Sequence, residues 1–350
     1  MLEDKNPQLT PISAYGEFGL IKHLTENFSF ENPSTKISIG DDAAVIDPNG
    51  QQVVLTTDVL AEGVHFNLGY VPLKHLGYKA VVVNLSDIAA MDAIPTQILV
   101  SLAISNRFPV EALEEIYAGI ALACKHYKVD LVGGDTTSST SGLVMSITAV
   151  GLENAENIVK RSGAKANDLL VVTGDLGGAY MGLQILEREH SVFLADPNMQ
   201  PEMEGYDYIL ERQLKPEART DIKKTLKELD IKPTSMIDVS DGLSSEILHL
   251  SDQSKVGFHL YEEKIPMDSL TISTAEELNL NPVMCALSGG EDYELLFTIA
   301  PEDFDKIKNH PDFTIVGHAV DLEQGNFLVA RGSNELIPLN AQGWDAFLNK

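Results

Sequence analysis

Basic residues are scarce. In 350 residues, 25 Lys and Arg stand against 52 Asp and Glu, a formal net charge of −27. Nucleic acid and anionic membranes repel such a chain at long range, which argues against both as partners. Cysteine is scarcer still, with only Cys124 and Cys285, far apart in the sequence. Two isolated cysteines, one in a helical pattern and one in an apolar run, form neither a disulfide framework nor a paired-thiolate zinc site. They read as buried thiols in a reducing compartment. No apolar run reaches the length that spans a bilayer, and the opening "MLEDKNPQLTPIS" has no apolar core of signal-peptide length. A soluble, cytoplasmic protein is expected.

The common phosphate-handling motifs are also missing. There is no G-x-x-x-x-G-K-[ST] loop, and the protein-kinase set of glycine-rich loop, H-R-D and D-F-G is absent. "GDLGGAYMG" does not fit G-x-G-x-x-G, which gives little support to a dinucleotide fold. No G-x-S-x-G elbow, paired zinc motif or internal repeat occurs.

What is present is an ordinary globular chain, 44% apolar. Its length suggests two domains, 1–150 and 151–350, joined through the polar stretch "GLENAENIVKRSGAKAND". In the first half "KISIG", "AAVID", "QQVVLTTDVL", "TQILVSLAI", "VDLVGG" and "LVMSITAVGL" read as strands. "LKHLGYKAVVVNLSDIAAM" and "PVEALEEIYAGIALACKHYK" read as helices. The order β-β-β-α-β-α-β-β predicts a mixed sheet with helices to one side. The second half restarts with strand "LLVVTG", a glycine-rich turn and helix "LQILERE". A polar loop "ADPNMQPEMEGYD", helix "DIKKTLKELD" and the strand–turn–helix "SMIDVSDGLSSEILHLSDQ" follow. "KVGFHLYEEKIP" and "FTIVGHAV" read as strands, and "NPVMCALSGGEDYELLFTIA" as two apolar runs about a Gly-Gly turn.

Acids collect where strands end. Asp41 and Asp42 in "IGDDAAV", Asp58 after "VVLTT", Asp87 in "NLSDIAAM" and Asp135 in "VGGDTT" are followed by Asp238 and Asp241 in "IDVSDG" and by Glu291 and Asp292 in "SGGEDYEL". One such acid is usually a turn residue bonding its own backbone. A whole series at strand ends, where sheet proteins place ligands, suggests clustered carboxylates for a hard cation such as Mg2+, and with it phosphate chemistry. Taken singly, His65 reads as a loop histidine, Trp344 as an apolar anchor, Arg161 as a linker ion-pair residue and Tyr117 as core.

"GEFGLI", "IGDDAAV", "TTDVLAEGVHF", "KAVVVNLSDIAAM", "VGGDTT", "RSGAKAND", "IDVSDGL" and "SGGEDYELLF" occur in this order from Gly16 onward. The ordered set resembles the thiamine-monophosphate kinase family, in the superfamily of aminoimidazole ribonucleotide synthetase and selenophosphate synthetase. The resemblance implies an α/β (α+β) two-domain fold, with an N-terminal sheet that pairs in a homodimer and a C-terminal α/β domain. It implies transfer of the γ-phosphoryl of ATP to thiamine monophosphate, assisted by several Mg2+. By the resemblance, Asp42, Thr56, Thr57, Asp58, Asp87, Asp135, Asp238 and Asp241 look like metal ligands. Tyr117, Gly134, Asp135, Arg161 and Ser240 look like ATP contacts, and His65, Glu291 and Trp344 like contacts to thiamine monophosphate. Asp92 stands where the family usually shows Gly, and Gly177-Gly178 where relatives often carry Gly-Asp. An ATP-dependent synthetase of the same superfamily, or a non-catalytic nucleotide-binding protein, are the competing readings.

Overall fold

The computed structural model describes residues 9–39 and 43–340, and of residues 16–18 the backbone only. The chain falls into two compact units, residues 1–84 with 95–152, and residues 85–94 with 153–350.

The first unit contains α1 (Gly16–Thr25), β1 (Thr35–Ile37), β2 (Val45–Ile46), β3 (Gln52–Ala61), most of α2 (Leu73–Ala90), β4 (Ile94–Ile104), α3 (Val110–Tyr127), β5 (Asp130–Ser138) and β6 (Leu143–Glu153). The first of these helices falls in a segment where the sequence pattern announced none. Four strands form one sheet in the order β3-β6-β4-β5, and β1 pairs with β2 separately. Alternation divides the sheet into two faces. Ile98, Val100 and Leu102 of β4 and Met145, Ile147 and Ala149 of β6 are buried, together with Leu76, Val81 and Val82 of α2 and Leu113, Ile116 and Ile120 of α3. The opposite face is open: Val53, Leu55 and Val59 of β3 are 47%, 65% and 51% exposed, and Ser101 of β4 is exposed. Helices therefore cover one side only, as the alternating pattern predicts.

The second unit adds β7 (Leu169–Thr173), α4 (Gly178–Ala195), α5 (Asp207–Leu214), α6 (Ile222–Glu228), β8 (Ser235–Asp238), α7 (Leu243–Ser254), β9 (Gly257–Tyr261), α8 (Ser269–Glu277), α9 (Pro282–Ser288), β10 (Leu295–Ile299), α10 (Phe304–Ile307), β11 (Phe313–Val320), β12 (Asn326–Val329) and β13 (Leu336–Pro338). Its strands make one seven-stranded sheet, β13-β12-β9-β11-β7-β10-β8. Both faces are covered, which is why these strands read as continuous apolar runs. Leu170, Val172, Ile237 and Leu296 pack on one side with Leu243 and Ile247 of α7, and Val171, Met236 and Phe297 on the other with Ile222 and Leu226 of α6.

Residues 85–94 group with the second unit for identifiable reasons. The Ser86 hydroxyl donates to Asp238 at 2.7 Å, and the Val159 N–H donates to the Met91 carbonyl at 3.1 Å. Asp92 has φ 53°, a left-handed position that favours glycine. Lys223 holds it there, its ammonium donating to the Asp92 carbonyl at 2.6 Å and to Oδ2 at 3.1 Å while pairing with Glu153 at 2.8 Å.

Candidate active site

Among the described residues β8 is an edge strand, paired with β10, and it ends on Asp238. The chain then turns through Val239–Gly242 and enters α7. Asp238 is 3% exposed, and burial, reinforced by the nearby Asp87 charge, pushes its carboxyl up to about 7. Asp241, half-buried, is also raised by burial, while His249 and the Arg161 guanidinium pull it the other way. A further acid was not anticipated from sequence. Glu246 of α7 is 2% exposed and accepts the N–H of Asp241 at 2.9 Å. Burial pushes it up to about 8, with Asp238 and Asp241 adding to the shift and Arg161 opposing it. Its position in the first turn of α7 was the available signal, since an acid there reaches back to cap the helix start. Asp87, Asp238, Asp241 and Glu246 thus share one electrostatic neighbourhood with Arg161, which is itself exposed.

The "SGGEDYEL" segment docks directly onto this loop. The Glu291 N–H donates to the Ser240 carbonyl at 2.7 Å, Tyr293 N–H to Val239 at 2.9 Å, and Val239 N–H to Glu294 at 2.8 Å. The turn is sharp, with Glu291 at φ 58° and Tyr293 at φ 52°. Its three acids divide by function. Asp292, 1% exposed, accepts N–H groups of Gly177 at 2.8 Å and Ala179 at 3.4 Å, so it caps the N-terminus of α4. Its inclusion among the cation-binding turn acids is therefore corrected: its carboxylate serves the fold. Glu294 accepts from Arg212 at 2.9 Å, Arg219 at 2.7 Å and the Thr173 hydroxyl at 2.6 Å. Only Glu291 remains half-exposed, beside Ser240, and Gln213 Nε2 donates to its Oε2 at 2.8 Å.

In the first unit, Thr56, Thr57 and Asp58 lie on β3. The Asp58 N–H donates to Oδ1 of the buried Asn84 at 3.0 Å, on the helix side of the sheet. Thr57 points to the open face, where its hydroxyl donates to the Ile147 carbonyl at 3.0 Å and accepts from Thr148 at 3.1 Å. Asp135 sits on β5 in register with Ser101, hence on the open face and at the far edge of the sheet from β3. Three strand spacings, about 14 Å, separate the two edges. Within the sheet of one chain Asp58 and Asp135 therefore do not converge on a single ion. Gly134 is required locally, because a Cβ there would come within 1.8 Å of the Val100 carbonyl. His65 is exposed and accepts the Ala61 N–H at 3.1 Å through Nδ1. Tyr117 is 7% exposed on α3, edge-on to Phe28 at 6.2 Å, with its hydroxyl pushed up to about 12 by burial. That is the environment its helical apolar face predicts. Asp41, Asp42 and Trp344 lie outside the described residues.

Among the described residues no three His, Cys, Asp or Glu side chains are grouped so as to hold a metal ion by themselves. Mg2+ does not require that, because it is commonly bound by one or two carboxylates together with substrate phosphates and water. Asp87 and the buried Asp238 fit such a site. They are oxygen donors whose mutual repulsion a divalent cation would relieve.

Among known proteins, residues 40–152 match the family model described as AIR synthase related protein, N-terminal domain. The thiamine-monophosphate kinase of Bacillus subtilis (strain 168) is 33% identical over 337 residues, 95% of this chain and 99% of that protein. That of Aquifex aeolicus (strain VF5) is 33% identical over 333 residues, 95% and 98% of the two chains. The solved structure of AaThiL complexed with AMPPCP and TMP superposes with a TM-score of 0.72 at 32% identity, covering 95% of this chain and 97% of the other. With identity at this level along nearly its whole length, the chain belongs to the thiamine-monophosphate kinase family.

Proposed function

We propose that the protein transfers the γ-phosphoryl group of ATP to the phosphate of thiamine monophosphate, forming thiamine diphosphate and ADP with Mg2+. One observation carries the reading beyond family membership. Asp87, Arg161, Asp238–Asp241 and Glu291, from four separate stretches of sequence, share one neighbourhood of the second unit. AaThiL, solved with AMPPCP and TMP, supports a nucleotide and a second ligand in a related chain.

The residues suit a reaction that needs little acid–base help. A phosphate monoester has its second pKa near ~6, so the acceptor is already largely dianionic at neutral pH. The obstacle is repulsion between two polyanions, and the protein's task is placement and charge balance. Asp87, Asp238 and Asp241 would hold Mg2+, with Asp42, Asp58, Asp135 and oxygens of Thr56 and Thr57 as the further ligands expected of the family. When bound, Mg2+ would neutralise phosphate charge. Arg161 offers the planar donor fork that suits a phosphate. Tyr117, Gly134, Asp135 and Ser240 are assigned to the nucleotide with Arg161, and Glu291, His65 and Trp344 to the acceptor.

The homodimer is proposed through the open face of the four-stranded sheet. Val53, Leu55 and Val59 form an exposed apolar row there, uncovered by the described residues. Two chains joined on that face place Asp135 at the junction. The proposed place of action is the cytoplasm. Among the described residues no helix is long and apolar enough to cross a membrane, and both cysteines are free buried thiols.

The test is one reaction containing purified protein, Mg-ATP and thiamine monophosphate, with free thiamine and an aminoimidazole precursor as parallel acceptors. Thiamine diphosphate formed from the monophosphate and not from thiamine is the expected result. ATP consumed only on another acceptor would overturn the assignment in favour of a synthetase.

A further inference from the structure

Gln213 is the penultimate residue of α5 and is 6% exposed. It does not belong to any of the acid-bearing motifs. Its surroundings leave it little freedom. α5 lies against α4 so closely that a Cβ on Gly182 would come within 2.0 Å of the Ile209 carbonyl and 2.9 Å of Gln213 Cβ. Next to it, Arg212 donates to the carbonyls of Asp175 at 3.0 Å and Asp292 at 3.1 Å and to Glu294 at 2.9 Å. Neighbouring side chains of one short helix therefore grip the same turn. Arg212 holds its main chain, and Gln213 Nε2 holds the Glu291 carboxylate at 2.8 Å. The other side of that turn is fixed by the Glu291 N–H on Ser240.

We propose that Gln213 is a positioning residue for acceptor recognition: its amide fixes the Glu291 carboxylate in the orientation that receives the cationic organic part of the phosphomonoester, a thiazolium joined to an aminopyrimidine. The inference rests on the reading of Glu291 as an acceptor contact. A glutamate has three rotatable bonds, and a carboxylate tethered before the ligand arrives loses less rotamer freedom on binding. A neutral amide donor also leaves the negative charge of Glu291 in place for a cationic substrate, which an arginine in the same position would cancel.

The experiment measures KM for thiamine monophosphate, KM for ATP, kcat and melting temperature for the parent and for Gln213→Met, Gln213→Glu and Glu291→Gln. Gln213→Met keeps the volume and removes the donor. Loss of one hydrogen bond to a charged group predicts a rise of about tenfold in KM for thiamine monophosphate. KM for ATP and the melting temperature stay near the parent values. Gln213→Glu places a like charge against Glu291 and raises KM for thiamine monophosphate further. A purely structural role would instead lower the melting temperature and shift both KM values together, which would overturn the proposal. It also fails if Gln213→Met keeps the parent KM while Glu291→Gln raises it, or if Glu291→Gln itself leaves acceptor KM unchanged. A parent enzyme inactive on thiamine monophosphate would refute the functional reading instead, so the two failures are distinguishable.

Discussion

Glu294→Gln should unfold the second unit far more readily than its small change in shape suggests. Glu294 is 3% exposed and receives Arg212 at 2.9 Å, Arg219 at 2.7 Å and Thr173 at 2.6 Å. Both arginine side chains are themselves largely buried, at 16% and 14% exposure. Each attraction is on the order of 4 kcal/mol at an effective dielectric of 20, offset by the cost of taking the ions out of water. Removing one partner forfeits the attraction and leaves the desolvation cost, so about 3–5 kcal/mol of stability is lost. For a unit of this size that is a fall of roughly 10 °C in melting temperature. Differential scanning calorimetry reads it directly, with Lys308→Met as the contrast. Lys308 pairs with Asp305 at 2.6 Å, but the two are 44% and 81% exposed, so its loss should not be measurable. If Glu294→Gln melts within about 2 °C of the parent, the arginines are solvated and the buried-network reasoning is wrong.

Three further outcomes are expected. Asp58→Asn should lower turnover on the order of a hundredfold or more while keeping the main-chain N–H bond to Asn84; near-parental kcat on Mg-ATP and thiamine monophosphate would remove it from the metal set. If the proposed homodimer forms through the open sheet face, Leu55→Asp should convert it to monomer by light scattering, since this side chain is 65% exposed there and the single-chain fold loses little burial; a mass that stays dimeric would refute that contact. Burial pushes the thiol of Cys124 up to about 12 and that of Cys285 up to about 11, so neither should react with a thiol-specific disulfide reagent at mildly alkaline pH until denaturant is added; rapid labelling of the native protein would contradict their burial.

The strands and helices of the first half were legible because their periods are clean: period two along β3, β4 and β6, and helical spacing through α2 and α3. α9 was not. "NPVMCALS" reads as an apolar run, although Asn281 caps the helix by accepting the Val283 N–H and Pro282 opens it. Local start signals were outweighed there by hydrophobicity. The acids were legible as a group and not individually. Asp238 and Asp292 both end as buried carboxylates, but only three-dimensional neighbours show that the first faces Asp87 and the second the start of α4. Gly177-Gly178 has a similar explanation. The N–H groups of Gly177 and Ala179 at this helix start are taken by the protein's own Asp292, which an incoming phosphate would have to displace. The burial of Tyr117 was legible from its helical apolar face.

Adjacent positions in the Gly-Gly-Glu-Asp turn answer to different demands. Glu291 looks outward beside Ser240, whereas Asp292 looks inward to the helix it caps. Damage at the inward position would reach a cell as less protein, cleared by quality control before it could turn over a substrate. Damage at the outward position would reach it as a normal amount of a poor enzyme. A library of variants sorted first by abundance and then by growth without added thiamine would separate these neighbouring letters into different bins. A screen scored by growth alone would merge them, and would credit the active site with a residue that belongs to the scaffold.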